Sequence, residues 1–456
     1  MAKSGLSEAN RILALECLDK VGQEVTLRGW VQVVRAHGKI AFIDLRDRSA
    51  LIQVGAFEGD LPAEFAKLGS QDVIEVQGLV KERGERYVNK NISTGTVEVE
   101  AKSLKIVQKS DAMPFDMGGR ELNLELPTLL DYRSLTLRHD TVRKIFEVQA
   151  ALADEFRKAA KKLGCIEVFV PTIAAGATEG GAEVFEVNYF GHKAYMTQSP
   201  QLYKQVMVSI FERVFTIAKA YRAEPSVTTR HLTEATQMDI EIGFIENFEE
   251  LLDALEFVGT SMIKNVSEEY EHILKEFNVE KPLVSSRVPR LTLREAQKIV
   301  TERTGRDLSR EMDLNPEDEI EICAWAHETH KSDFVTITHF PTKKRAFYTY
   351  PDPENPEYSL SYDLLFRGLE ILSGSQRISD FNQLKEAMVK KGVSPESFGL
   401  YLQAFQYGMP PEGGFSFGLE RLTMKLLELK NVREASLFPR DMERVDERFS
   451  AHEKED

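Results

Sequence analysis

The sequence predicts an α+β chain in which a small N-terminal β-barrel is joined to a larger domain of mixed strands and helices. Five strand-type runs with alternating apolar residues fall within residues 24–107, and short strands at this density are typical of a barrel or sandwich. Beyond them, long amphipathic helical segments alternate with isolated strands, which indicates a mixed domain. With 456 residues, the chain is long enough for two or three domains.

The N-terminal strands are interrupted by one short helical stretch, LPAEFAKLG, which lies between the third and fourth runs. Five strands with a helix in that place are typical of an OB-fold, a barrel that often binds single-stranded nucleic acid. An SH3-like or other small barrel is the alternative. We therefore expect a barrel domain over residues 1–107, followed by a linker over residues 108–138 that contains Pro and a Gly pair.

Composition limits the function only weakly. The chain is 42% hydrophobic and 29% charged, which is typical of a globular protein. It contains no apolar run of signal-peptide or membrane-span length, which predicts a cytoplasmic protein. Cys17, Cys165 and Cys323 lack the spacing of a disulfide framework or zinc site, so we expect buried thiols. The net charge of −15 disfavours a nucleic-acid partner, but residues 1–110 hold 16 Lys+Arg against 15 Asp+Glu and can approach phosphate.

The larger domain begins with an amphipathic helix, HDTVRKIFEVQAALADEFRKAAKKLG, which is predicted to end at Gly164. The following CIEVFVPTI is typical of a buried strand that ends at Pro171. Residues 246–340 contain helical runs between acidic loops and no motif, so we interpret them as an insertion or subdomain packed on a main body over 139–441. The charged residues 442–456 are predicted to form a tail.

Ionisable residues concentrate in the stretch AYRAEPSVTTRHLTEATQMDIEIGF at residues 220–244. On its return arm, mostly apolar even positions from Leu232 to Phe244 alternate with polar odd positions, which predicts a half-buried β-hairpin. A hairpin whose polar face meets water is the simpler interpretation. The mixture of guanidinium groups and carboxylates instead favours a cleft. The polar residues are Arg222, Glu224, Arg230, His231, Gln237, Asp239 and Glu241.

A second segment, QSPQLYKQVM, predicts a helix that carries polar groups on one face. Ser199 can cap this helix, and Pro200 suits its first position. Helical spacing then places Gln201, Lys204 and Gln205 together.

Two further segments complete the set of matching groups. YDLLFRGLEILSGSQRI places Asp363, Glu370, Ser373 and Arg377 around a glycine turn. In GGFSFGLER, glycines let a ligand approach the backbone, and Arg421 lies in the first turn of a predicted helix, against the helix dipole. An arginine there indicates a bound anion. The glycines are Gly413, Gly414 and Gly418.

Together these motifs resemble the class II aminoacyl-tRNA synthetases. YRAE…RHLTE…DIE is similar to the second signature of that family, GLER to the third, and the long helix with LGCIEVFVPTI to the first, which lies at a dimer interface. QSPQLYKQ, TEGGAEVF, LDYRSLTLR and SGSQRI resemble aspartyl-tRNA synthetases of the archaeal and eukaryotic type. The resemblance covers about residues 20–441. It implies an OB-fold anticodon-binding domain joined to a catalytic domain with an antiparallel sheet flanked by helices.

The resemblance implies an ATP-dependent ligase that activates L-aspartate and transfers it to tRNA(Asp), as a homodimer with Mg²⁺. The alternatives are an asparaginyl-tRNA synthetase and a catalytically silent tRNA-binding paralogue. The cations Lys204 and Arg377 argue against the first, because a neutral amide would leave them unmatched. The complete set of proposed arginines and metal ligands argues against the second. Whether tRNA(Asn) is also charged stays open, because Gln32 matches neither variant that we associate with strict or relaxed enzymes.

The resemblance also implies roles for individual residues. Arg222, Glu224, His231 and Arg421 would form the catalytic set. The implied ATP contacts are Arg222, Glu224, Arg230, His231, Leu232, Glu370, Gly418 and Arg421. The implied aspartate contacts are Glu179, Gln201, Lys204, Gln237, Asp239 and Arg377. The implied Mg²⁺ ligands are Asp363, Glu370 and Ser373. The implied tRNA contacts are Gln32, Arg35, Phe42 and Gln53, although Phe42 could instead belong to the barrel core. Ala235 stands where many class II enzymes stack a phenylalanine on adenine.

Overall fold

The computed structural model describes residues 11–119, 121–176, 184–224 and 228–449. The chain divides into two compact units, Met1–Leu124 and Glu125–Asp456. Among the described residues, none of the helices combines the length and apolar character that crossing a lipid bilayer requires. The thiols of all three cysteines are buried, and burial raises the pKa of each to about 12.

The first unit is a closed barrel with the strand order β1-β2-β3-β5-β4. Its inward positions alternate along each strand and form an apolar core that includes Leu27, Ile43, Ile52 and Val76. The short helix α1 (Leu61–Phe65) lies between the third and fourth strands, as predicted. The strands are β1 (Glu24–His37), β2 (Ile40–Arg46), β3 (Leu51–Ala56), β4 (Val73–Glu82) and β5 (Val97–Gln108).

The second unit contains an eight-stranded sheet with the order β12-β13-β14-β15-β16-β11-β10-β6, and a small sheet with the order β7-β9-β8. The pairs β10–β6 and β12–β13 are parallel, whereas the other neighbours in the large sheet are antiparallel. The strands are β6 (Ile166–Glu167), β7 (Ile173–Ala174), β8 (Glu186–Tyr189), β9 (His192–Met196), β10 (Arg213–Tyr221), β11 (Glu234–Gly243), β12 (Arg290–Thr292), β13 (Phe334–Thr338), β14 (Ser361–Phe366), β15 (Leu369–Gln376) and β16 (Glu412–Gly418).

Helices cover the apolar face of the large sheet. Phe156 of the long helix α4 packs edge-to-face on Phe215 of β10 and Phe417 of β16, with ring centroids 5.9 and 6.4 Å apart. The polar face of the sheet is therefore left for the site described below. The helices are α2 (Leu126–Asp131), α3 (Arg133–Thr136), α4 (Asp140–Lys162), α5 (Gln201–Phe211), α6 (Phe248–Glu269), α7 (Glu271–Glu276), α8 (Leu293–Thr304), α9 (Pro316–His330), α10 (Phe381–Lys390), α11 (Gly399–Gln406) and α12 (Leu419–Leu426).

The segment 246–340, predicted as an insertion or packed subdomain, is part of the main architecture. Its strands β12 and β13 extend the large sheet. Its helix α6 buries Leu255, Val258 and Met262 in the same core as α4. Sequence reasoning separated this segment because it carries no motif, whereas membership of a sheet depends on pairing with distant strands.

The strand predicted from CIEVFVPTI is much shorter than expected and is buried on one side only, through Cys165 and Val168. Only Ile166–Glu167 pairs with β10, at the edge of the sheet, where one neighbour is absent from the described sheet. The side chains of Ile166 and Phe169 are 47% and 89% exposed. Burial of both faces, as in a central strand, was therefore the wrong expectation, because an apolar edge strand and a central strand have the same local pattern.

Three smaller expectations also change. Helix α5 begins at Gln201, so Pro200 is the N-cap rather than the first helical residue. The Ser199 hydroxyl still accepts a hydrogen bond from the Gln201 N–H at 3.3 Å.

Phe244, predicted on the apolar face of the hairpin, lies beyond β11 with a positive φ of 56° and is 64% exposed. In the predicted tail, the buried Arg444 guanidinium forms an ion pair with Asp131, so the described part of the tail is anchored.

Candidate active site

A cavity of about 590 Å³ opens on the polar face of the large sheet. Its walls come from α5, the β10–β11 hairpin, β15, β16 and the start of α12. It therefore brings together the four segments singled out in the sequence. The predicted residues that line it are Gln201, Lys204, Arg222, Glu224, Arg230, His231, Leu232, Gln237, Asp239, Glu370, Ser373, Arg377, Gly418 and Arg421. Glu179 lies outside the described residues.

Strand register explains why the polar hairpin positions reach this cavity. Asp239 of β11 pairs with Thr216 on one side and Ser416 on the other. Gln237 likewise pairs with Ala218 and Gly418. Because all of these neighbours have small side chains, the side chains of Gln237 and Asp239 are not covered by adjacent strands and reach the cavity.

Two of the predicted glycines serve packing rather than ligand approach. A Cβ at Gly414 would collide with the Ile240 carbonyl and the Glu241 carboxylate, and one at Gly413 would collide with Leu251. Neighbouring strands and a helix thus need these positions empty. Gly418 differs, because an added Cβ there would meet its nearest neighbour, the Arg421 side chain, at 3.7 Å, and the glycine lines the cavity.

One end of the cavity, at which the sequence resemblance predicts the amino acid and which is here called the aspartate end, is a buried network of paired charges. The Lys204 Nζ lies 2.8 Å from Asp239 Oδ1 and 3.0 Å from Glu241 Oε2. The Arg377 Nε lies 2.7 Å from Glu241 Oε1. From the sequence, Lys204 and Arg377 were expected to be matched only by the substrate carboxylate. In the structure, Glu241 already forms ion pairs with both cations. A buried cation pair without a counter-ion would be strongly unfavourable.

Burial and the two cations have opposite effects on these carboxyl groups. Burial raises the pKa of Asp239 above its usual range despite the ion pair with Lys204. For Glu241, Arg377 and Lys204 outweigh burial and hold the pKa below its usual range. Burial and the nearby Glu241 charge raise the pKa of Glu412 well above its usual value.

A second layer of hydrogen bonds fixes helix α5 behind these charges. The Gln205 amide donates to Glu412 Oε1 at 2.7 Å, and the Tyr401 hydroxyl donates to Gln205 Oε1 at 3.0 Å. Both partners of Gln205 are buried. This layer holds the helical face that presents Gln201 and Lys204 to the cavity.

The other end, at which the sequence resemblance predicts ATP and which is here called the nucleotide end, is more open, and two of its arginines are loosely paired. The Arg222 guanidinium lies 3.7 Å from the Glu224 carboxylate, and the Arg421 guanidinium lies 3.8 Å from the Glu370 carboxylate. The side chains of Arg222 and Glu370 are 45% and 36% exposed. Burial lowers the pKa of His231, and the Arg421 charge lowers it further, which favours a neutral imidazole. Guanidinium groups that are only partly paired within the protein can donate hydrogen bonds to phosphate oxygens.

Comparison with known proteins identifies the family. The family described as tRNA synthetases class II (D, K and N) matches residues 125–442, and the OB-fold nucleic acid binding domain matches residues 25–107. The chain belongs to the class II tRNA synthetases. It is therefore an aminoacyl-tRNA ligase that uses ATP, and both predicted folds are confirmed.

Individual relatives match over nearly the whole synthetase. The chain is 39% identical to the aspartate–tRNA(Asp/Asn) ligase of Aeropyrum pernix, over 93% of this chain and 96% of that protein. It is 39% identical to the aspartate–tRNA(Asp) ligase of Pyrococcus abyssi, with the same two coverages. Among solved structures, asparaginyl-tRNA synthetase from Pyrococcus horikoshii complexed with asparaginyl-adenylate gives a TM-score of 0.84 at 28% identity, with 94% and 97% covered. A putative aspartyl-tRNA synthetase from Leishmania major gives 0.87 at 28% identity, with 97% and 96% covered.

The predicted magnesium ligands of this synthetase lie beside the nucleotide end. Asp363 pairs in register with Ser373, and its buried Oδ1 has no hydrogen-bond partner among the described residues. Its Oδ2 accepts from Arg345 at 2.8 Å, and the Ser373 hydroxyl accepts from the same guanidinium at 3.1 Å. Burial raises the pKa of Asp363, and the nearby Glu370 adds to the shift. Hard oxygen donors with an unused carboxylate atom fit Mg²⁺, which commonly binds one or two carboxylates together with substrate phosphates.

Arg345 is a site residue that sequence reasoning missed. It lines the cavity together with the exposed Lys344. The only signal was the basic run TKKR, which is more often a solvated surface than part of a site. Within the described part of the chain, no group of three His, Cys, Asp or Glu side chains has metal-binding geometry. Any divalent ion here would therefore need oxygens from a bound substrate.

In the barrel of this synthetase, three of the four predicted tRNA contacts share one outward face. Arg35 pairs in register with Phe42, and Asp44 pairs with Gln53. Phe42 is half-buried, does not belong to the barrel core, and packs edge-to-face on Phe57 at 5.5 Å. An aromatic pair on a strand surface is suited to stacking on an unpaired base.

Hydrogen bonds fix the polar members of this face. Arg35 forms two bonds with Asp44, at 2.7 and 2.6 Å, and Gln53 donates to Glu98 at 2.7 Å. Gln32 is different, because it is only 8% exposed and its amide donates to the Met117 carbonyl at 2.5 Å. We therefore correct the expectation that Gln32 contacts tRNA directly.

Proposed function

We propose that this synthetase activates L-aspartate with ATP and transfers the aspartyl group to the 3′ end of tRNA(Asp). The charge count at the aspartate end carries this proposal. Lys204 and Arg377 balance Asp239 and Glu241 in a buried site. Both amino acids share an α-carboxylate that would face ATP and is therefore left out of the count at this end. A bound aspartate would add one ammonium and one side-chain carboxylate here, which keeps the count balanced, whereas asparagine would add the ammonium without a side-chain carboxylate for Lys204 and Arg377.

The relatives support the same choice. The relatives named above, at 39% identity, are aspartate–tRNA ligases, whereas similar solved structures include asparaginyl-tRNA synthetases at 28% identity. The fold alone therefore does not separate the two amino acids. The names of the relatives also include both tRNA(Asp/Asn) and tRNA(Asp) ligases, so the charging of tRNA(Asn) is a separate question.

In the proposed activation step, an oxygen of the substrate α-carboxylate attacks the α-phosphorus of ATP. The bond from that phosphorus to the pyrophosphate oxygen breaks, and aspartyl-adenylate forms. Arg222 would neutralise the α-phosphate, Glu224 would accept a hydrogen bond from the adenine amino group, and His231 and Arg421 would bind the γ-phosphate. Asp363, Glu370 and Ser373 would hold Mg²⁺, which supplies charge neutralisation at phosphate when bound.

At the aspartate end, the residues act by placing the nucleophile. Asp239 and Gln237 would receive the ammonium, with Glu179 as a further predicted contact, and Lys204 and Arg377 would bind the side-chain carboxylate. The α-carboxylate is then the group that faces ATP. In the transfer step, a terminal ribose hydroxyl of tRNA attacks the activated carbonyl and AMP leaves, so the protein forms no covalent intermediate.

The remaining parts of the proposal concern partners. Phe42 would stack on an anticodon base and Gln53 would hydrogen-bond to one, with Arg35 near the backbone. Ile166, Phe169 and neighbouring apolar side chains are exposed and would be covered in a homodimer. The cytoplasmic location stays a prediction.

Pyrophosphate exchange tests the amino-acid choice directly. The purified protein is given ATP, Mg²⁺ and either aspartate or asparagine, and we expect exchange with aspartate only. Exchange with asparagine alone would replace the proposal with the asparaginyl enzyme, and exchange with neither would support the silent paralogue. Charging of purified tRNA(Asp) and tRNA(Asn) then measures tRNA selectivity.

A matched variant tests the binding of the side chain. Lys204→Ala should raise the KM for aspartate at least tenfold more than the KM for ATP, because Lys204 lies at the opposite end of the cavity from the nucleotide. Equal changes in both values would contradict the assigned role.

A further inference from the structure

Glu319 of α9 is a buried glutamate at the nucleotide end that has no role in the proposed reaction. It forms hydrogen bonds with two of the elements that line this end. Its side chain is only 9% exposed. Both carboxylate oxygens accept hydrogen bonds from Arg230 Nη2, at 2.9 and 2.7 Å. One of them also accepts from the backbone N–H of Glu370 at 3.2 Å. Glu319 therefore joins a predicted ATP contact to the strand that carries a predicted metal ligand.

Arg421 closes this arrangement from the other side. Its Nε donates to the Arg230 carbonyl at 3.3 Å, and its Nη1 donates to the Glu370 carbonyl at 3.4 Å. Glu319 and Arg421 thus each bind both Arg230 and Glu370. The hairpin turn, β15, α9 and α12 are linked by these bonds at one place.

Helix α9 is well suited to hold a fixed carboxylate. Its N-terminus has a capping box in which Asn315 and Asp318 each bond to the other's backbone. The opposite side of the helix buries Ile322, Cys323 and Ala326 in an apolar cluster. Glu319 lies in the first turn, where the helix dipole favours a negative charge.

The pairing also has a direct consequence for the site. Removing the Glu319 carboxylate would leave the Arg230 guanidinium without its two side-chain bonds and would leave the Glu370 N–H unpaired. Each group would then have to be oriented by the substrate itself, at a cost in binding free energy.

We propose that Glu319 is a positioning residue for the ATP end of the reaction, which it serves by orienting Arg230 and the start of β15 without touching substrate. This inference rests on the proposed function only for the position of ATP, and not for the identity of the amino acid. The assignment comes from the structure, because Glu319 lies in the segment in which the sequence showed no motif.

The experiment measures pyrophosphate exchange, with separate KM values for ATP and for the amino acid that the wild type accepts. Glu319→Ala should raise the KM for ATP about 10–100-fold, the range typical for loss of a residue that orients a ligand group, and leave the KM for the amino acid within about twofold. Glu319→Gln keeps an acceptor oxygen for Arg230 and for the Glu370 N–H, so it should give a smaller increase.

The matched control is Glu321→Ala on the same helix. Glu321 forms an ion pair with Arg303 at 3.1 Å on the surface, away from the cavity. This variant should leave both KM values unchanged. In an Arg230→Ala background, Glu319→Ala should raise the KM for ATP by a smaller factor than it does in the wild type, because only the bond to the Glu370 N–H is left to lose.

Two results would overturn the proposal. One is a KM for ATP that is unchanged in both Glu319 variants, and the other is an equal rise of both KM values together with a lower melting temperature, which indicates a merely structural role. If Glu319→Ala does not fold, Glu319→Gln decides between the same outcomes. If the wild type shows no exchange with either amino acid, calorimetric binding of a non-hydrolysable ATP analogue replaces KM, so failure of the proposed function remains distinguishable.

Discussion

The two ends of the cavity differ in how far the protein has already satisfied its own charges. At the aspartate end, the Lys204, Glu241 and Arg377 side chains are at most 5% exposed, and their ion pairs are 2.7 to 3.0 Å long. At the nucleotide end, Arg230 is paired with Glu319 at 2.7 Å, but the Arg222–Glu224 and Arg421–Glu370 pairs are 3.7 and 3.8 Å apart, with exposures from 25% to 45%. With the substrates placed as proposed, the amino acid would meet a preformed site, whereas ATP would meet two arginines that its phosphates can engage.

This difference has an energetic basis. Buried charges need fixed partners, because breaking such a pair leaves an ion without solvent. Partly exposed pairs contribute little and can be exchanged for a ligand at small cost. Selectivity among amino acids and strong binding of phosphate therefore call for different degrees of burial.

The largest expected effect comes from Arg377→Ala, which breaks the buried pair with Glu241. We expect an aspartate kcat/KM at least about 10³-fold lower, since a desolvated group loses its partner. We also expect a loss of about 3–5 kcal/mol in the free energy of unfolding. Pyrophosphate exchange and urea unfolding measure the two effects. A normal stability would show that the aspartate end is less rigid than its geometry indicates.

Arg421→Ala should have a smaller and more selective effect. We expect kcat/KM for ATP to fall about 10²-fold, as for other losses of a phosphate-stabilising donor. The free energy of unfolding should change by at most about 1 kcal/mol, because the ion pair with Glu370 is partly exposed. Exchange assays at varied ATP and thermal unfolding check this. A stability loss as large as that of Arg377→Ala would erase the contrast between the two ends.

Phe42→Ala tests whether the barrel contributes to tRNA binding without affecting either end of the cavity. Loss of a stacking surface should cost about 1–3 kcal/mol in tRNA binding, or roughly a 5- to 150-fold rise in the KM for tRNA. Charging assays measure this rise. Pyrophosphate exchange without tRNA should be unchanged, and its loss would contradict the assignment of Phe42 to tRNA binding.

Ser416→Ala should give the smallest effect. The Ser416 hydroxyl donates to Asp239 Oδ2 at 3.0 Å. Its removal takes away one hydrogen bond from a buried carboxylate, so we expect about a fivefold rise in the KM for aspartate, or about 1 kcal/mol. The KM for ATP is the internal control. A rise in the KM for ATP without a rise in the KM for aspartate would contradict the assignment of Asp239 to the aspartate end.

Much of the fold could be predicted because it is encoded in local periodicity. Alternation along β1 to β5 indicated the barrel, and helical spacing indicated α4, whose Val142, Ile145 and Leu152 are buried as the pattern requires. The same rules failed for the length and burial of the strand predicted from CIEVFVPTI, and they did not show that residues 246–340 add two strands to the large sheet. Edge position and membership of a sheet depend on neighbours that are far away in the chain.

The sequence by itself determined most of the element types, the family and most of the polar residues that face the cavity, because each of these is encoded in short motifs and spacings. Only the tertiary structure decided which charges meet. Glu241 and Arg377 are separated by 136 positions, and Glu319 and Arg230 by 89. The physical reason is that the partner of a buried charge is chosen by packing in three dimensions, and no local pattern carries that information.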